Sequence, residues 1–247
     1  MDLHIGTCGW QYRHWRGVLY PPGLPASRWL ERYAEEFRAV EVDASFYRLP
    51  KPPVVAAWAE RTPPDMRIAM KASRYLTHVR RLREPAEPVA RFMAVASRLG
   101  AKLAAALLQL PPDMPAEPGR LDDTLARFPA GVRVAVEPRH ESWWIPEVRE
   151  VLERRGAALC LADRGGPVTP LWRTADWGYL RLHEGSGPDG PGYAFDDLMA
   201  WRTRLERMFG AGEEVLVFFN NDMGGWAVRD ALAFRAGRPV EHEHMFD

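Results

Sequence analysis

Amide side chains and lysine are scarce in this chain of 247 residues. It contains three lysines against thirty arginines, and only four side-chain carboxamides. A composition that disfavours these residue types indicates that the few that remain are needed where they stand. Most of them follow apolar runs, as polar groups do at the carboxyl end of a buried strand. The carboxamides are Gln11, Gln109, Asn220 and Asn221, and the lysines are Lys51, Lys71 and Lys102.

Other absences narrow the class of protein. Basic and acidic residues number 33 each, so no bulk field attracts nucleic acid or an anionic membrane. No run approaches eighteen apolar residues, which argues against a membrane span. The first ten residues lack the basic segment of a signal peptide. Cys8 and Cys160 lie in predicted buried strands, which favours reduced thiols and a cytoplasmic location.

Several well-known catalytic and metal-binding motifs are also missing. The sequence has no P-loop, nucleophile elbow, HExxH motif or CxxC pair. Scattered Glu, Asp and His residues leave a divalent metal open as a cofactor, although no local spacing demonstrates one. His242 and His244 alternate near the C-terminus without further ligands, so we interpret this segment as a solvated tail.

Eight short apolar segments rich in strand-forming residues recur along the chain. Near-continuous hydrophobic strands are typical of a parallel sheet that is covered on both faces. Helical patterns lie between most of them, and this alternation predicts a TIM-like (β/α)₈ barrel, an α/β fold, as one domain over 1–247 with a short C-terminal tail. The predicted strands cover 3–8, 39–44, 67–72, 103–110, 133–138, 158–163, 178–183 and 214–219.

The predicted helices are defined by apolar periodicity and by the residues at their ends. Residues 164–177 resemble an irregular connection, so one β/α unit is expected to be irregular or incomplete. A doubly wound open sheet is the alternative fold, disfavoured because no phosphate-binding glycine fingerprint follows the first strand. Helices are predicted over 27–37 with Ser27 as N-cap, over 53–62, over 87–100 ending on Gly100, over 145–156 ending on Gly156, and over 195–210 ending on Gly210.

Polar residues cluster at the carboxyl ends of the predicted strands, where a (β/α)₈ barrel builds its active site. Gathering such groups is costly unless they are paired, so a structural salt-bridge network is the alternative to a functional site. Residues two apart in a strand point to the same face. The pairs expected to share a face are Glu41 with Asp43, Glu137 with Arg139, and Arg181 with His183.

We assign provisional roles to these side chains. Glu137 is predicted to act as a base or metal ligand with His183 as its acid partner, and Lys71 to stabilise negative charge. Asp163 completes the candidate catalytic set, although it could instead cap the following element. The candidate substrate-binding residues are Tyr12, Glu41, Asp43, Tyr47, His78, Gln109, Arg139, Trp143, Arg181, Asn220, Asn221 and Asp222.

Loops around the predicted site favour an anionic ligand. Glycine-bearing loops at 185–190 and 223–225 follow the last two strands, a region that often binds phosphate in this fold. Residues 73–83 add four arginines and a histidine, for which a solvated basic face is the alternative. Aromatic residues in the loops could stack a base or sugar, or could pack the loops together.

Several strand-end motifs, in order and over nearly the whole chain, carry a family resemblance. They are GTCGWQYRHWRGVLYPPG (6–23), EVDASFYRLP (41–50), KASRYLTH (71–78), LLQLPP (107–112), VEPRHESW (136–143), LADRGG (161–166), YLRLHEG (179–185) and FFNNDMGGWAVRDA (218–231). On these residues the chain resembles the YecE-like family, a bacterial and archaeal group of unknown function. The resemblance implies a TIM-like barrel and supplies no established reaction. Asp43 and Glu184 depart from the family pattern, which more often has Asn and Gly there.

We therefore expect an enzyme that acts on a phosphorylated or sugar-containing anionic substrate at the C-terminal mouth of the barrel. A metal-assisted phosphodiester hydrolase is a specific variant, and an isomerase or lyase is another. The alternative is a non-catalytic nucleic-acid or nucleotide binding module, and a third hypothesis is a structural barrel that acts through a partner protein. The oligomeric state stays open.

Overall fold

Eight parallel strands close into a barrel in a computed structural model that describes residues 1–164, 169–187 and 190–240. Each strand pairs with the next in sequence, and the first pairs with the last. The predicted (β/α)₈ barrel is therefore confirmed, and every predicted strand matches an observed one to within two residues at either end. The strands are β1 (Asp2–Cys8), β2 (Ala39–Val42), β3 (Arg67–Lys71), β4 (Leu103–Gln109), β5 (Val134–Glu137), β6 (Ala158–Asp163), β7 (Gly178–Leu182) and β8 (Glu214–Phe219).

Helices follow seven of the eight strands in the described parts of the chain. The connection from β6 to β7 has no helix over residues 169–177, which agrees with the predicted irregular unit. The tail histidines His242 and His244 lie outside the described residues. The helices are α1 (Trp29–Glu36), α2 (Ala44–Tyr47), α3 (Pro52–Glu60), α4 (Ala86–Ala96), α5 (Pro118–Leu125), α6 (Pro146–Arg155), α7 (Phe195–Met208) and α8 (Trp226–Ala236).

Helix ends were predicted less well than helix positions. Gly156 ends α6 in the left-handed conformation, with φ of 61°, as predicted. The predicted N-cap at Ser27 is wrong, because residues 26–28 form a 3₁₀ turn and α1 begins after it. Gly100 lies in a 3₁₀ segment beyond the end of α4, and α7 ends before Phe209, whose backbone is extended, instead of at Gly210.

The barrel interior combines small side chains with a few large ones. An inner cluster contains five alanines together with Tyr179 and Phe218, separate from the larger core between strands and helices. The alanines occupy little volume, so they leave room for the long side chain of Arg181, which is fully buried. In three strands an inward alanine precedes an inward polar residue by two positions: Ala39 and Glu41, Ala69 and Lys71, Ala135 and Glu137.

Gly6 marks a close approach between β1 and β2. A Cβ atom at this position would lie 1.9 Å from the carbonyl oxygen of Ala39. We expect Gly6→Ala to lower the free energy of unfolding by about 1–3 kcal/mol, because backbone atoms must shift to accept it. Urea denaturation measures this, with Gly119→Ala in α5 as the control, since a Cβ there meets nothing within 4 Å. Equal stability of the two variants would contradict the prediction.

Cys8 and Cys160 are both buried and unpaired, as the sequence predicted. Among the described residues, none of the helices combines the length and apolar character that crossing a bilayer requires.

Candidate functional site

Arg181 lies at the centre of a buried ionic network near the carboxyl ends of the strands. Its Nη1 donates to Glu137 Oε2 at 2.7 Å, and its Nη2 donates to Glu41 Oε1 at 2.7 Å. The same Nη2 lies 3.3 Å from Asp43. Burial alone would lower the pKa of Arg181, but these carboxylates raise it well above its ordinary value. The guanidinium therefore stays charged and holds acids from two strands together.

Glu137 accepts hydrogen bonds at both carboxylate oxygens. Gln109 Nε2 donates to Oε2 at 3.0 Å, beside Arg181. Arg139 Nε donates to Oε1 at 3.2 Å, and Arg164 Nη2 lies 3.4 Å from the same oxygen. Burial would raise the pKa of Glu137, but Arg181 and the other neighbours hold it well below its usual range. Glu137 is thus an ionised anchor for several side chains.

His183 stands between an acid and an amide. Its Nε2 lies 3.3 Å from Glu137 Oε1, although the two atoms are poorly aligned for a hydrogen bond. Its Nδ1 lies 3.0 Å from Asn220 Nδ2, which can donate to it. Burial lowers the pKa of His183 despite the opposing effect of Glu137. The neutral imidazole therefore accepts at Nδ1 and carries its hydrogen on Nε2, facing the carboxylate.

Glu41 and Asp43 have opposite protonation behaviour. Glu41 accepts from the Tyr179 hydroxyl and from Arg181, and its burial raises its pKa to about 7. Burial would also raise the pKa of Asp43, but Arg181 and Lys71 lower it below its ordinary value. Lys71 Nζ lies 3.5 Å from Asp43 Oδ1. Both acids therefore contact Arg181, but Glu41 takes up a proton near neutral pH whereas Asp43 stays ionised.

Cations outnumber carboxylates in this network. It contains one lysine and three arginines against three acids, and one of those acids has a pKa near 7. The same-face pairs predicted from strand periodicity are confirmed. Glu41 and Asp43 both contact Arg181. Arg181 and His183 both lie beside Glu137, which also accepts from Arg139. The cations are Lys71, Arg139, Arg164 and Arg181, and the acids are Glu41, Asp43 and Glu137.

A three-residue group near this network has the composition of a metal site. The ligand atoms of Cys8, Glu41 and Asp43 lie within 4.8 Å of one another, in the described part of the chain. However, Arg181 Nη2 already contacts all three, at 3.5 Å from Cys8 Sγ. Burial also raises the pKa of the Cys8 thiol well above its ordinary value. A divalent cation and the guanidinium would compete for one place, so this group does not fit a metal.

A cleft of about 610 Å³ opens beside Glu137 at the carboxyl ends of β4 to β7. Arg139 and Arg164 line it, with side chains that are 25% and 29% exposed. Exposed Glu141 and Glu184 also line it. We call this space the Arg139–Arg164 cleft. It offers guanidinium groups near the buried network and carboxylates elsewhere on its wall.

A second space of about 310 Å³ lies at the ends of β1 and β2, and we call it the aromatic pocket. Tyr12 forms part of its wall and is fixed by a hydrogen bond of 2.6 Å from its hydroxyl to the Cys8 carbonyl. Tyr47 is 82% exposed at the pocket, and Asp43 lines it too. Three predicted binding residues thus share this pocket.

Two predicted site residues serve packing between elements. Trp143 is fully buried, and its Nε1 donates to the Met114 carbonyl at 2.8 Å, so its ring presents no surface to a ligand. Asp163 accepts from Trp201 Nε1 of α7 at 2.9 Å. Trp143 therefore belongs to the core instead of the binding surface, and Asp163 links β6 to a helix.

Asn221 and Asp222 secure loops after the last strands. Asn221 Nδ2 donates to Asp230 at 2.6 Å and to the Pro191 carbonyl at 2.9 Å. Asp222 accepts from Trp15 Nε1 at 2.6 Å. These contacts connect the loop around residue 191 with α8, and the loop after β8 with the segment after β1. Both residues therefore support the mouth of the barrel from outside the ionic network.

His78 lies in a short π-helical turn, Tyr75–Val79. Its ring contacts Phe46 edge-on with centroids 4.8 Å apart, and Lys71 Nζ lies 4.4 Å from the centroid of the same ring. Burial and the nearby Lys71 lower the pKa of His78 to about 4. It is therefore a neutral neighbour of the Lys71 site.

Sequence reasoning missed Arg164 and Tyr179. Arg164 directly follows β6, and Tyr179 precedes Arg181 by two residues on the same face of β7. The position of Arg164 and the spacing of Tyr179 were both visible in the sequence. What was not visible is that both side chains turn toward the acids of the network.

Comparisons with known proteins identify a family and similar structures. A family described as "Protein of unknown function DUF72" matches residues 4–245. The protein YunF of Bacillus subtilis is 26% identical over 90% of both chains. YecE of Escherichia coli K12 is 31% identical over 62% of this chain, a match that spans only about half, 54%, of YecE. The solved structure of TM1631, a DUF72 family protein from Thermotoga maritima, has a TM-score of 0.83 at 26% identity, covering 96% of this chain and 99% of that one.

Proposed function

The chain belongs to the DUF72 family of unknown function, and we propose that it is an enzyme acting on an anionic, phosphorylated or sugar-containing substrate. The main observation in its favour is the surplus of cations around Glu137. Arg139 and Arg164 both approach its Oε1, although Arg181 and Gln109 already engage its Oε2. Arg181 is shared with Glu41 and Asp43, but Arg139 and Arg164 have only Glu137 as a partner in the network, so an anionic ligand in the cleft would complete their charge balance.

The two outer arginines suit a phosphate or carboxylate group. A guanidinium has five N–H donors, and the contacts of Arg139 and Arg164 with Glu137 and the Pro138 carbonyl use only some of them. Its planar fork matches the geometry of such anions. Glu141 and Glu184, which also line the cleft, can accept hydrogen bonds from sugar hydroxyl groups. A sugar phosphate therefore matches both kinds of side chain.

Proton transfer is assigned to His183 instead of Glu137. A carboxylate with a depressed pKa and several donors is a weak base, so Glu137 orients the imidazole. Neutral His183 can accept a proton at Nδ1 once a substrate group replaces Asn220 as its partner. Glu137 Oε1 lies 3.3 Å from the other ring nitrogen, Nε2, so the carboxylate stabilises the imidazolium that forms. Lys71, which lies beside Asp43 in the same network, supplies positive charge for an oxyanion.

The proposed acid–base chemistry uses no metal ion. A metal-assisted phosphodiester hydrolase would need ligand atoms that are free to bind a metal. Those of Cys8, Glu41 and Asp43 already contact Arg181. Isomerisation or elimination by acid–base chemistry agrees better with these residues. The alternative of a non-catalytic nucleic-acid or nucleotide binding module predicts binding that weakens steeply with salt and no turnover.

Replacing both Arg139 and Arg164 with alanine is expected to weaken the binding of ribose 5-phosphate at least about tenfold, because charge-assisted hydrogen bonds contribute on the order of 1.5–3 kcal/mol each. Isothermal titration calorimetry measures the affinity. The control replaces Arg91 and Arg149 with alanine, since both are exposed and paired with glutamates of their own helices. Unchanged affinity in the Arg139/Arg164 variant would show that these two arginines do not form the anion site.

Turnover is tested by incubating wild-type protein and His183→Gln with a panel of sugar phosphates in D₂O. Phosphorus and proton NMR detect cleavage, isomerisation and exchange of carbon-bound hydrogen. We expect conversion of at least one sugar phosphate by the wild type and its loss in the variant. Binding without conversion across the panel would favour the non-catalytic alternative.

A further inference from the structure

The aromatic pocket has rigid walls and one exposed ring. Trp10 and Trp58 pack edge to face with centroids 5.3 Å apart, and both line the pocket. Tyr12 is held by its hydrogen bond to the Cys8 carbonyl. Tyr47, at 82% exposure, contacts Phe46 edge-on with centroids 5.0 Å apart. A largely apolar space with an exposed aromatic ring at its edge suits a flat group that can stack.

The polar groups of the pocket are few. Asp43 and Gln11 line it, and the Tyr12 hydroxyl is already engaged. A sugar ring carries several hydroxyl groups, and each would need a hydrogen-bond partner on burial. A nucleobase carries its polar atoms in the plane of the ring, so a carboxylate and a carboxamide can bind one edge while the faces stack on aromatic rings. The lining therefore favours a planar nitrogen heterocycle over a second sugar.

Arg181 connects this pocket to the Arg139–Arg164 cleft. Its Nη2 contacts Asp43, which lines the aromatic pocket, and its Nη1 donates to Glu137. Glu137 in turn contacts Arg139 and Arg164 of the cleft. Both spaces thus border one buried ionic network at the same mouth of the barrel.

We propose that the aromatic pocket receives the base of a nucleoside phosphate whose phosphate group is bound by Arg139 and Arg164. This inference rests on the proposed function, because it takes the cleft as the anion site. It adds that the substrate is a nucleotide, with its base stacked beside Tyr47 and its edge directed toward Asp43 and Gln11.

Affinities for AMP, ribose 5-phosphate and inorganic phosphate test the proposal by calorimetry. We expect AMP to bind at least about tenfold more tightly than ribose 5-phosphate, which is the order that stacking on aromatic side chains supplies. Tyr47→Ala is expected to remove most of that advantage and to leave the affinity for ribose 5-phosphate unchanged. Tyr75→Ala is the control, because Tyr75 is also exposed, at 45%, but does not line the aromatic pocket.

Two results would overturn this inference without touching the proposed function. One is equal affinity for AMP and ribose 5-phosphate in the wild type. The other is an advantage for AMP that survives Tyr47→Ala. In both cases the loss of ribose 5-phosphate binding on replacing Arg139 and Arg164 would still support the anion site. If that variant instead binds ribose 5-phosphate normally, the proposed function fails by itself.

Discussion

Replacing Arg181 with methionine is expected to lower the free energy of unfolding by about 3–5 kcal/mol, the cost typical of removing one partner from a buried ion pair. Methionine preserves much of the apolar stem. It leaves Glu137 and Glu41 buried without the guanidinium that contacts both at 2.7 Å. Gln109 and Arg139 still donate to Glu137, so the loss is expected to come mainly from the side of Glu41 and Asp43.

Guanidinium chloride denaturation at pH 7 measures this effect. Arg149→Met is the control, because Arg149 is exposed and paired with Glu153, and such surface pairs contribute about 0–1 kcal/mol. A second variant adds Glu41→Gln to Arg181→Met and is expected to recover part of the stability, since glutamine needs no proton to be buried without the guanidinium, whereas Glu41 must take one up at pH 7. A loss below about 1 kcal/mol for Arg181→Met would show that water or rearrangement compensates the acids.

The fold could be predicted because the strands of a closed parallel barrel are apolar on both faces. Segments such as 103–108 and 215–219 show this pattern without interruption, and the observed strands follow it closely. Helix ends depend on local geometry that composition describes poorly. Ser27 has the composition of an N-cap, yet the chain forms a 3₁₀ turn there, and α1 begins with no side-chain cap.

The site could be predicted in part, for a related reason. Strand periodicity brought Glu41 together with Asp43, and Arg181 together with His183, because a spacing of two residues fixes the face. Contacts between distant segments do not follow from spacing. Trp143 resembled the other loop aromatics in sequence, but its burial against Met114 depends on how the loops after β4 and β5 pack. The pairing of Asp163 with Trp201 likewise depends on where α7 lies.

The protonation of the network could not be read from the sequence. Glu41 and Glu137 are both inward glutamates of the same barrel, and either could have been the base. Their difference comes from the number of cations that reach each one. Glu137 has three arginines and stays ionised, whereas Glu41 is contacted by Arg181 and lies beside ionised Asp43.

That difference predicts a pH-dependent effect of Glu41→Gln. The pKa of Glu41 is about 7 in the folded protein, against an ordinary value of 4.5. A raised pKa stabilises the fold fully below the unfolded pKa, and this contribution is lost as the pH rises through the folded value. At about 1.4 kcal/mol per pKa unit, the stabilisation that disappears between pH 4.5 and pH 8 is about 3 kcal/mol. Glutamine does not titrate, so the variant lacks this component.

The unfolding free energies of wild type and Glu41→Gln should therefore be compared at several pH values from 5 to 8. The stability of the wild type relative to the variant is expected to fall from pH 5 to about pH 7 and to level off above it. Any difference between neutral glutamic acid and glutamine in packing or hydrogen bonding shifts the whole curve and leaves its slope unchanged. Glu150→Gln, at an exposed position on α6, provides a control. A difference that is flat, or that rises with pH, would mean that Arg181 outweighs burial and keeps Glu41 ionised. In that case all three acids of the network are charged together, and the cation surplus that supports an anionic substrate becomes smaller.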